Sequence, residues 1–433
     1  MSVRDGYKMT ELGEIPQQWK CLGMEEILLN KKGAMKIGPF GSQLKKNILV
    51  EHGKKVYGQE NVFENDFVLG NRYVTEDKFE ELKSCELFSG DVVISMMGTI
   101  GKCTIVPENI DQGIMDSHLL RLQVDEEKFN KVLLKHIILG SDIIKRQIKK
   151  LCVGGIMDGL SSTIIRQLRF PCPTLPEQQR IAEILSSNDA VITKTDELIE
   201  KTKEVKQGLM QELLTKGIGH TEFKDSELGR IPKDWEVKNL EDIVLKITDG
   251  THKTPKYMDE GIPFLRVTDI QRTKIDWDTV KYISKEEHKD LIKRCNPEKG
   301  DILYSKNGTI GIPKIIDWDN EFSIFVSLCL IKIKKNCSEV INKYLEKFLA
   351  SDSCLDQIRL RAKQGTVTNL HLEEIRKILI PIPSKGEQQQ IAEILTVVDN
   401  KLQALTKRKQ QLEEIKQGLM QDLLTGRVRV NSN

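Results

Sequence analysis

The sequence predicts an α+β fold: two tandem mixed α/β domains joined by two long helices that pair as an antiparallel coiled coil, with an internal pseudo-two-fold repeat. Three observations carry this. First, short stretches recur in the same order: "ELGEIPQQW" at 11–19 and "ELGRIPKDW" at 227–235, then "GDVVISMMGTIGK" at 90–102 and "GDILYSKNGTIGI" at 300–312. Second, "EQQRIAEIL" at 177–185 returns as "EQQQIAEIL" at 387–395, and "KQGLMQELL" at 206–214 as "KQGLMQDLL" at 416–424. Third, a heptad-like apolar stripe connects those last two stretches in both copies. Most offsets are 210 (300 against 90), and the first is 216 (227 against 11). A period this long marks domains with their connectors rather than a solenoid.

Within each domain, Val92–Ile94 and Ile302–Tyr304 read as strands, and each meets a Gly-bearing turn. A second short strand comes next, Cys103–Val106 and Lys314–Ile316, so each pair reads as a hairpin. Helical segments lie near 128–150 and 338–362. After them stand the Pro-rich stops "FPCPTLP" at 170–176 and "IPIPSKG" at 380–386. Thr174-x-x-Glu177 and Ser384-x-x-Glu387 are capping-box patterns ahead of the long helices.

In the second long helix, Ile391, Leu395, Val398, Leu402, Leu405, Leu412 and Leu419 mark the seam, which Lys409 and Lys416 interrupt. The first has Ile181, Leu185, Ile192, Ile199, Leu209 and Leu213, with Asn188, Thr195 and Thr202 on the same stripe. A run of about 40 residues spans ~60 Å as a helix. Gly217 and Gly426 read as stop signals. Gly208 and Gly418 interrupt good helix formers; a helix crossing, a close partner or a kink would each accommodate them.

Composition narrows the function. Among 433 residues, 66 Lys and Arg against 64 Asp and Glu leave a net charge of +2, so any contact with DNA falls to local patches. Nine cysteines without a Cys-x-x-Cys pair read as reduced thiols in a cytoplasmic protein, with neither a zinc site nor a disulfide frame. No apolar run is long enough to span a membrane, and the charged stretch "MSVRDGYKMTELGE" does not read as a signal peptide. Phosphate-loop, nucleophile-elbow and zinc-protease motifs are absent, and no cofactor or metal is expected. Paired carboxylates such as Glu126–Glu127 and Glu373–Glu374 fit solvated helix surface.

What the chain offers instead is matched frames with different tips. Between Gly90–Ser95 with its Gly-Thr-Ile-Gly turn and the equivalent Gly300–Ser305, Met96–Met97 becomes Lys306–Asn307. "GKKVYGQENV" at 53–62 aligns with "GIPFLRVTDI" at 261–270, and "IGPFGSQLKKN" at 37–47 with "ITDGTHKTPKY" at 247–257. Basic, amide and hydroxyl side chains are the groups that bond base edges and phosphates. The DNA-contact candidates are therefore Lys36, Ser42, Gln43, Lys45, Lys46, Gln59, Asn61, Met96, Met97 and Thr99 in the first copy. In the second they are Thr248, His252, Lys253, Lys256, Arg266, Thr268, Lys306, Asn307 and Thr309. Any one difference also fits ordinary divergence of duplicated loops; three matched loops together favour recognition of two different short sequences. A helical protein-binding scaffold without DNA readout is the alternative reading.

The openers, "GPFGSQLK", "DGTHKTPKY", the paired "GTIG" hairpins and "KQGLMQxLLT" together make the chain resemble the specificity subunit of a type I restriction–modification system. The resemblance covers essentially the whole chain. It implies target-recognition domains at 1–176 and 218–386, a spacer helix at 177–217, and a second spacer helix with tail at 387–433. It further implies a non-catalytic subunit whose partners are double-stranded DNA, two methyltransferase (modification) subunits and restriction/translocase subunits, with no membrane. Each recognition domain would read one half of a split, asymmetric site, the helices setting the gap and docking the methyltransferases. The N-terminal segment and C-terminal tail would lie close together. Leu209, Met210, Leu213, Leu419, Met420 and Leu423 are the docking or spacer candidates, the leucines expected in the coiled-coil core and the methionines facing a partner or mixed.

Overall fold

The computed structural model describes residues 3–40, 43–97, 101–151, 161–272, 274–333, 339–361 and 369–430. The chain divides into two compact units, one made of residues 1–196 and 407–433, the other of 197–406. Each unit therefore takes the start of one long helix and the end of the other. These helices run Leu175–Leu213 and Lys385–Leu423.

The units match strand for strand. In the first, the four-stranded antiparallel sheet runs in the order Met35–Ile37, Leu119–Leu122, Val92–Ser95, Cys103–Ile105. In the second, the order is Lys246–Asp249, Leu328–Lys332, Ile302–Ser305, Pro313–Ile315. The expected hairpins are the inner and last strands of these sheets. A second, three-stranded sheet centres on Lys54–Tyr57 in one unit and Ile262–Leu265 in the other, each with one antiparallel and one parallel neighbour. The third aligned loop differs from the expected register. Gly38 N–H donates to Leu119 O and Gly250 N–H to Leu328 O, so Gly38 matches Gly250, two residues away from the offset of 210. Each single helix expected before the Pro-rich stop is two helices, Lys131–Gly140 with Asp142–Leu151 and Asn342–Leu349 with Asp352–Arg361. Ser141 and Ser351 sit at the breaks, where their hydroxyls accept backbone N–H groups of the next helix.

Each sheet-and-helix core is closed by both long helices. In the first unit, Ile181, Ala182 and Leu185 pack with Met420, Leu423 and Leu424 around Trp19, Phe129 and Phe170. In the second, Ile391, Ala392 and Leu395 pack with Leu213 and Leu214 around Trp235, Tyr344 and Phe348. Fully burying one such side chain is worth about 1.5–3 kcal/mol.

The helix starts depart from a capping box. Ser384 Oγ does accept the Glu387 N–H at 3.3 Å. The two glutamates, however, reach into the fold rather than back to the cap. Glu177 accepts the Trp19 indole N–H at 2.8 Å and a fork of two bonds from Arg429. Glu387 accepts the Trp235 indole N–H at 3.0 Å, meets His220 at 2.9 Å and accepts the Ile218 N–H. The "W" of each opener is thus clasped to the first turn of a long helix. Gly426 and Gly217 close the two clasps with φ of 69° and 67°. A Cβ on Gly426 would lie 2.5 Å from the Pro16 ring, and one on Gly217 2.3 Å from Glu387 Oε1. Tyr7 Oη donates to Gly426 O at 2.8 Å, so the N-terminal segment and the C-terminal tail meet.

Antiparallel pairing is visible inside each unit. Asp189 bonds Lys416 at 2.6 Å and Asp196 bonds Lys409 at 2.8 Å in the first; Lys206 bonds Asp399 at 2.7 Å in the second. Every pair of residue numbers adds to 605, the same register in each unit. Lys409 and Lys416, which interrupt the apolar stripe, are the residues that fix it. Thr195 and Thr202 are buried on the seam because their hydroxyls bond the carbonyls of Val191 and Leu198 one turn back. Gly208 and Gly418 mark no crossing within the chain, since a Cβ on either would meet nothing within 4 Å.

This packing is open to two tests. Glu177→Ala or Glu387→Ala leaves a buried indole N–H without its acceptor and should cost about 1–3 kcal/mol, measured by denaturant unfolding; an unchanged midpoint would refute the clasp. The second concerns His136, buried with both ring nitrogens unpartnered among the described residues, 3.9 Å from Asp189. Burial, then Lys135 and Lys416, push its pKa from 6.5 down to about 4 against the pull of Asp189. The unfolded chain takes up this proton first, so the stability contribution is full above pH 6.5 and drains away toward pH 4. At pH 5 the loss is on the order of 2 kcal/mol. His136→Leu should flatten the fall in melting temperature between pH 7.5 and 5; an equal fall in both proteins would contradict the assignment.

Candidate nucleic-acid interface

In each unit, four segments meet beside the inner hairpin strand's end in the four-stranded sheet. They are the residues that follow that strand, Met96–Met97 and Lys306–Asn307, the segment after the first sheet strand, the short helix after the central strand of the smaller sheet, and the bend before the second sheet strand.

The first unit presents Gln43, Lys45 and Lys46 as exposed side chains on the segment after Gly38. Lys36 lies half-buried in the first sheet strand, opposite Arg121. Lys36, Phe40 and Gln43 line a cleft of about 500 Å³. Gln59 donates to Ser95 Oγ at 2.9 Å and to Met97 O at 2.6 Å, which ties the short helix to the turn. Met97 is exposed. Ser42 and Thr99 fall outside the described residues.

Asn61 and Met96 do not face solvent as expected. Asn61 is fully buried: its Oδ1 accepts the Gly58 N–H, and its Nδ2 donates to Asp66 O and Leu69 O. It caps a helix and holds a loop, which leaves no atom for a base. Met96 belongs to the main apolar core.

In the second unit His252, Lys253 and Lys256 are exposed on the segment after Gly250. Thr268 is exposed, and Thr309 Oγ1 accepts from Gln271 at 3.0 Å. Arg266 donates through Nε and Nη2 to both oxygens of Asp269, each at 3.1 Å. Those hydrogen bonds raise its pKa further. Asn307 is half-buried and bridges to Asn369, with its Oδ1 unpartnered among the described residues.

Thr248 and Lys306 also correct the sequence-based expectation, because both are buried. Lys306 Nζ lies 3.4 Å from Asp249, a carboxylate that is itself buried and also bonds Arg294 and His252. A lysine at a turn reads as a tip. Here the turn folds inward, and its backbone is pinned between Ser327 O and the Leu370 N–H. An exposed cation on the same carboxylate is Arg294, on the rim of a cavity of about 320 Å³ with Asp249, His252 and Ser323. Nothing in the sequence marks Arg294, since its segment has no motif and its role comes from Asp249. Arg72 in the first unit is hidden in the same way. It donates to Glu60 at 2.8 Å and to Asp116 at 3.0 Å.

The docking candidates divide unevenly. Leu213 and Leu423 are buried and Leu209 and Leu419 half-buried. Met420 is buried, contrary to the expected outward methionine, whereas Met210 stays half-buried. The cause is one residue. Met420 enters the space over Gly140, where a Cβ would sit 2.1 Å from its Cε. Ala350 stands at the matching position in the second unit, lining a cleft of about 690 Å³ with Met210 and Gln207. Among the described residues no group of three or more His, Cys, Asp or Glu is placed to hold a metal, and no helix is long and apolar enough to cross a membrane.

Comparison with known proteins likewise finds one domain twice. The type I restriction modification DNA specificity domain matches residues 35–206 and again 232–415. The chain belongs to this family. The type I restriction enzyme MjaVIII specificity subunit of Methanocaldococcus jannaschii is 29% identical over 330 residues, 74% of this chain and 76% of that one. The crystal structure of a type I restriction–modification S subunit from M. genitalium superposes with a TM-score of 0.58 at 16% identity, covering 98% of both chains. A chain from a structural study of complex assembly and conformational transition in the type I system superposes with a TM-score of 0.54 at 15% identity, over 96% of this chain and 99% of that one. Both units of the present chain share the hairpin strands, the short helix and the clasped tryptophan.

Lys306→Met keeps the stem and removes the charge. It should destabilise the second specificity domain by about 1–3 kcal/mol, because a buried carboxylate loses one of its cations while keeping Arg294. Half-site preference should be unchanged once folding is allowed for. An altered base preference with unchanged stability would restore Lys306 as a reader.

Proposed function

We propose that the chain is the DNA-reading subunit of a type I restriction–modification complex. Each specificity domain reads one half of a bipartite, asymmetric double-stranded site. The spacer helices, within 177–217 and 387–433, set the gap and dock two methyltransferase subunits. Methyl transfer and cleavage belong to those subunits and to the restriction/translocase subunits. The observation that carries this is a strand-for-strand repeated frame whose loops beside the hairpin turns differ in charge and hydrogen bonding. One frame held twice with different tips is a device for reading two sequences. Family membership agrees with it, and a cytoplasmic location is part of this reading. The outward face at Gly208 and Gly418, open to a close approach, and the cleft beside Met210 suit docking of a partner.

The register of the helix pair dictates the experiment. Lengthening one helix breaks the Asp–Lys pairing, so matched insertions are needed at the centre of the register. One goes between Leu198 and Ile199, the other between Thr406 and Lys407. Four added residues in each helix lengthen it by ~6 Å and rotate the segment beyond the insertion by roughly 40° more than a full turn. DNA rises about 3.4 Å per base pair, so the methylated motif should keep both half-sites while its gap grows by one or two base pairs. An unchanged gap in an active complex rules out the helices as the spacer. Full methylation with no sequence preference points to the scaffold reading.

A further inference from the structure

We propose that Arg72 and Arg266 are paired guanine readers, one per specificity domain, each aimed by carboxylates of its own loop cluster. The inference rests on the DNA-reading function above and deepens it by naming the residue and the base.

The short helices Gln59–Phe63 and Val267–Ile270 begin at matching positions, Gly58 and Arg266. Each is capped by the third residue of the helix: Asn61 Oδ1 accepts the Gly58 N–H at 2.9 Å, and Asp269 Oδ2 accepts the Arg266 N–H at 2.8 Å. The two caps use their remaining atoms differently. Asn61 turns its amide inward to two carbonyls, whereas Asp269 turns its carboxylate to the Arg266 guanidinium. A carboxylate therefore stands where an arginine has to be aimed, and an amide where the capped residue is a glycine.

Glycine at 58 does not leave that place empty. A Cβ on Gly58 would lie 2.0 Å from Arg72 Nη2, so an arginine from another loop fills the space. Arg72 is held there by Glu60 and Asp116. Burial works against its charge, and Asp116, then Glu60, outweigh burial. Both domains thus hold a carboxylate-bound guanidinium beside the start of the matching short helix, by different routes. Their side-chain exposures agree, 30% for Arg72 and 31% for Arg266. Each commits two N–H groups within its cluster among the described residues. A guanidinium has five, so donors remain for a ligand. Neutralised by their own carboxylates, these arginines offer little net attraction to phosphate. What they offer is donors in a fixed fork, which match guanine O6 and N7 in the major groove. Asp269, Glu60 and Asp116 are positioning residues.

The test uses the chain assembled with its methyltransferase partner and duplexes substituted one base pair at a time. Arg72→Ala and Arg266→Ala should each weaken cognate binding about 5- to 150-fold and abolish the preference for guanine at one position, in its own half-site only. The salt slope should be unchanged. Asp269→Asn keeps the cap, as Asn61 shows by serving the same role, and should loosen that guanine preference without moving the melting temperature. Arg266→Lys should recover only part of the discrimination. Weakening that is uniform across sequences, with the salt slope reduced by about one, assigns the arginines to phosphate and overturns the proposal. So does a result in which only one of the two alanine variants abolishes a guanine preference, or in which either acts on the other domain's half-site. If the unaltered complex discriminates among no duplexes, the DNA-reading function itself fails.

Discussion

Everything else in this molecule depends on the antiparallel register of its two long helices, fixed by Asp189–Lys416 in one unit and Lys206–Asp399 in the other. Each aspartate and each lysine is the repeat-mate of its counterpart 210 positions away, so one pairing rule is written twice. Exposed ion pairs of this kind add only about 0.2–1 kcal/mol each, and their value lies in specifying alignment. Stability comes from the helix ends, which finish the core of each unit with Leu213 and Leu214 or with Leu423 and Leu424. A unit is therefore incomplete without the end of a helix that began in the other part of the chain. The duplication and the pairing imply each other.

The clasps make the same point at the level of single residues. Glu177 and Glu387 stand where an N-cap partner would, yet each is spent on a tryptophan and on a residue arriving from beyond a long helix, Arg429 or His220. That joins the opener, the start of one long helix and the end of the other into one hydrogen-bonded unit. With the frame fixed in this way, the loops beside the hairpin turns are free to vary. Their buried polar residues, Asn61 and Asp269, hold shape, while the side chains they support carry the differences.

The architecture is legible in the sequence because it depends on repetition and period. The long helices, the hairpin strands and the seam stand where the matched strings put them. The individual site residues are less so. Lys306 and Met96 sit in a turn, and turn position suggests exposure; their backbone hydrogen bonds to the adjacent bend fold both inward. Asn61 carries the right chemistry for a base but is consumed by a cap. Arg72 and Arg294 are invisible because what distinguishes them is a carboxylate supplied from elsewhere in the fold, Asp116 for one and Asp249 for the other. Met420 turns inward because of Gly140, 280 residues earlier (420 against 140), whose missing side chain makes room for it. Period reveals frames, and only packing reveals which polar groups are already satisfied.

On the proposed function, one frame used twice reads two different sequences at a fixed separation. The decisive measurement maps every methylated adenine in a host genome that carries this chain with type I methyltransferase subunits, against the same genome lacking the chain. The expected result is a single motif made of two unlike halves separated by a constant stretch of unspecified bases. A continuous motif, a palindrome, or a gap that varies from site to site would contradict it.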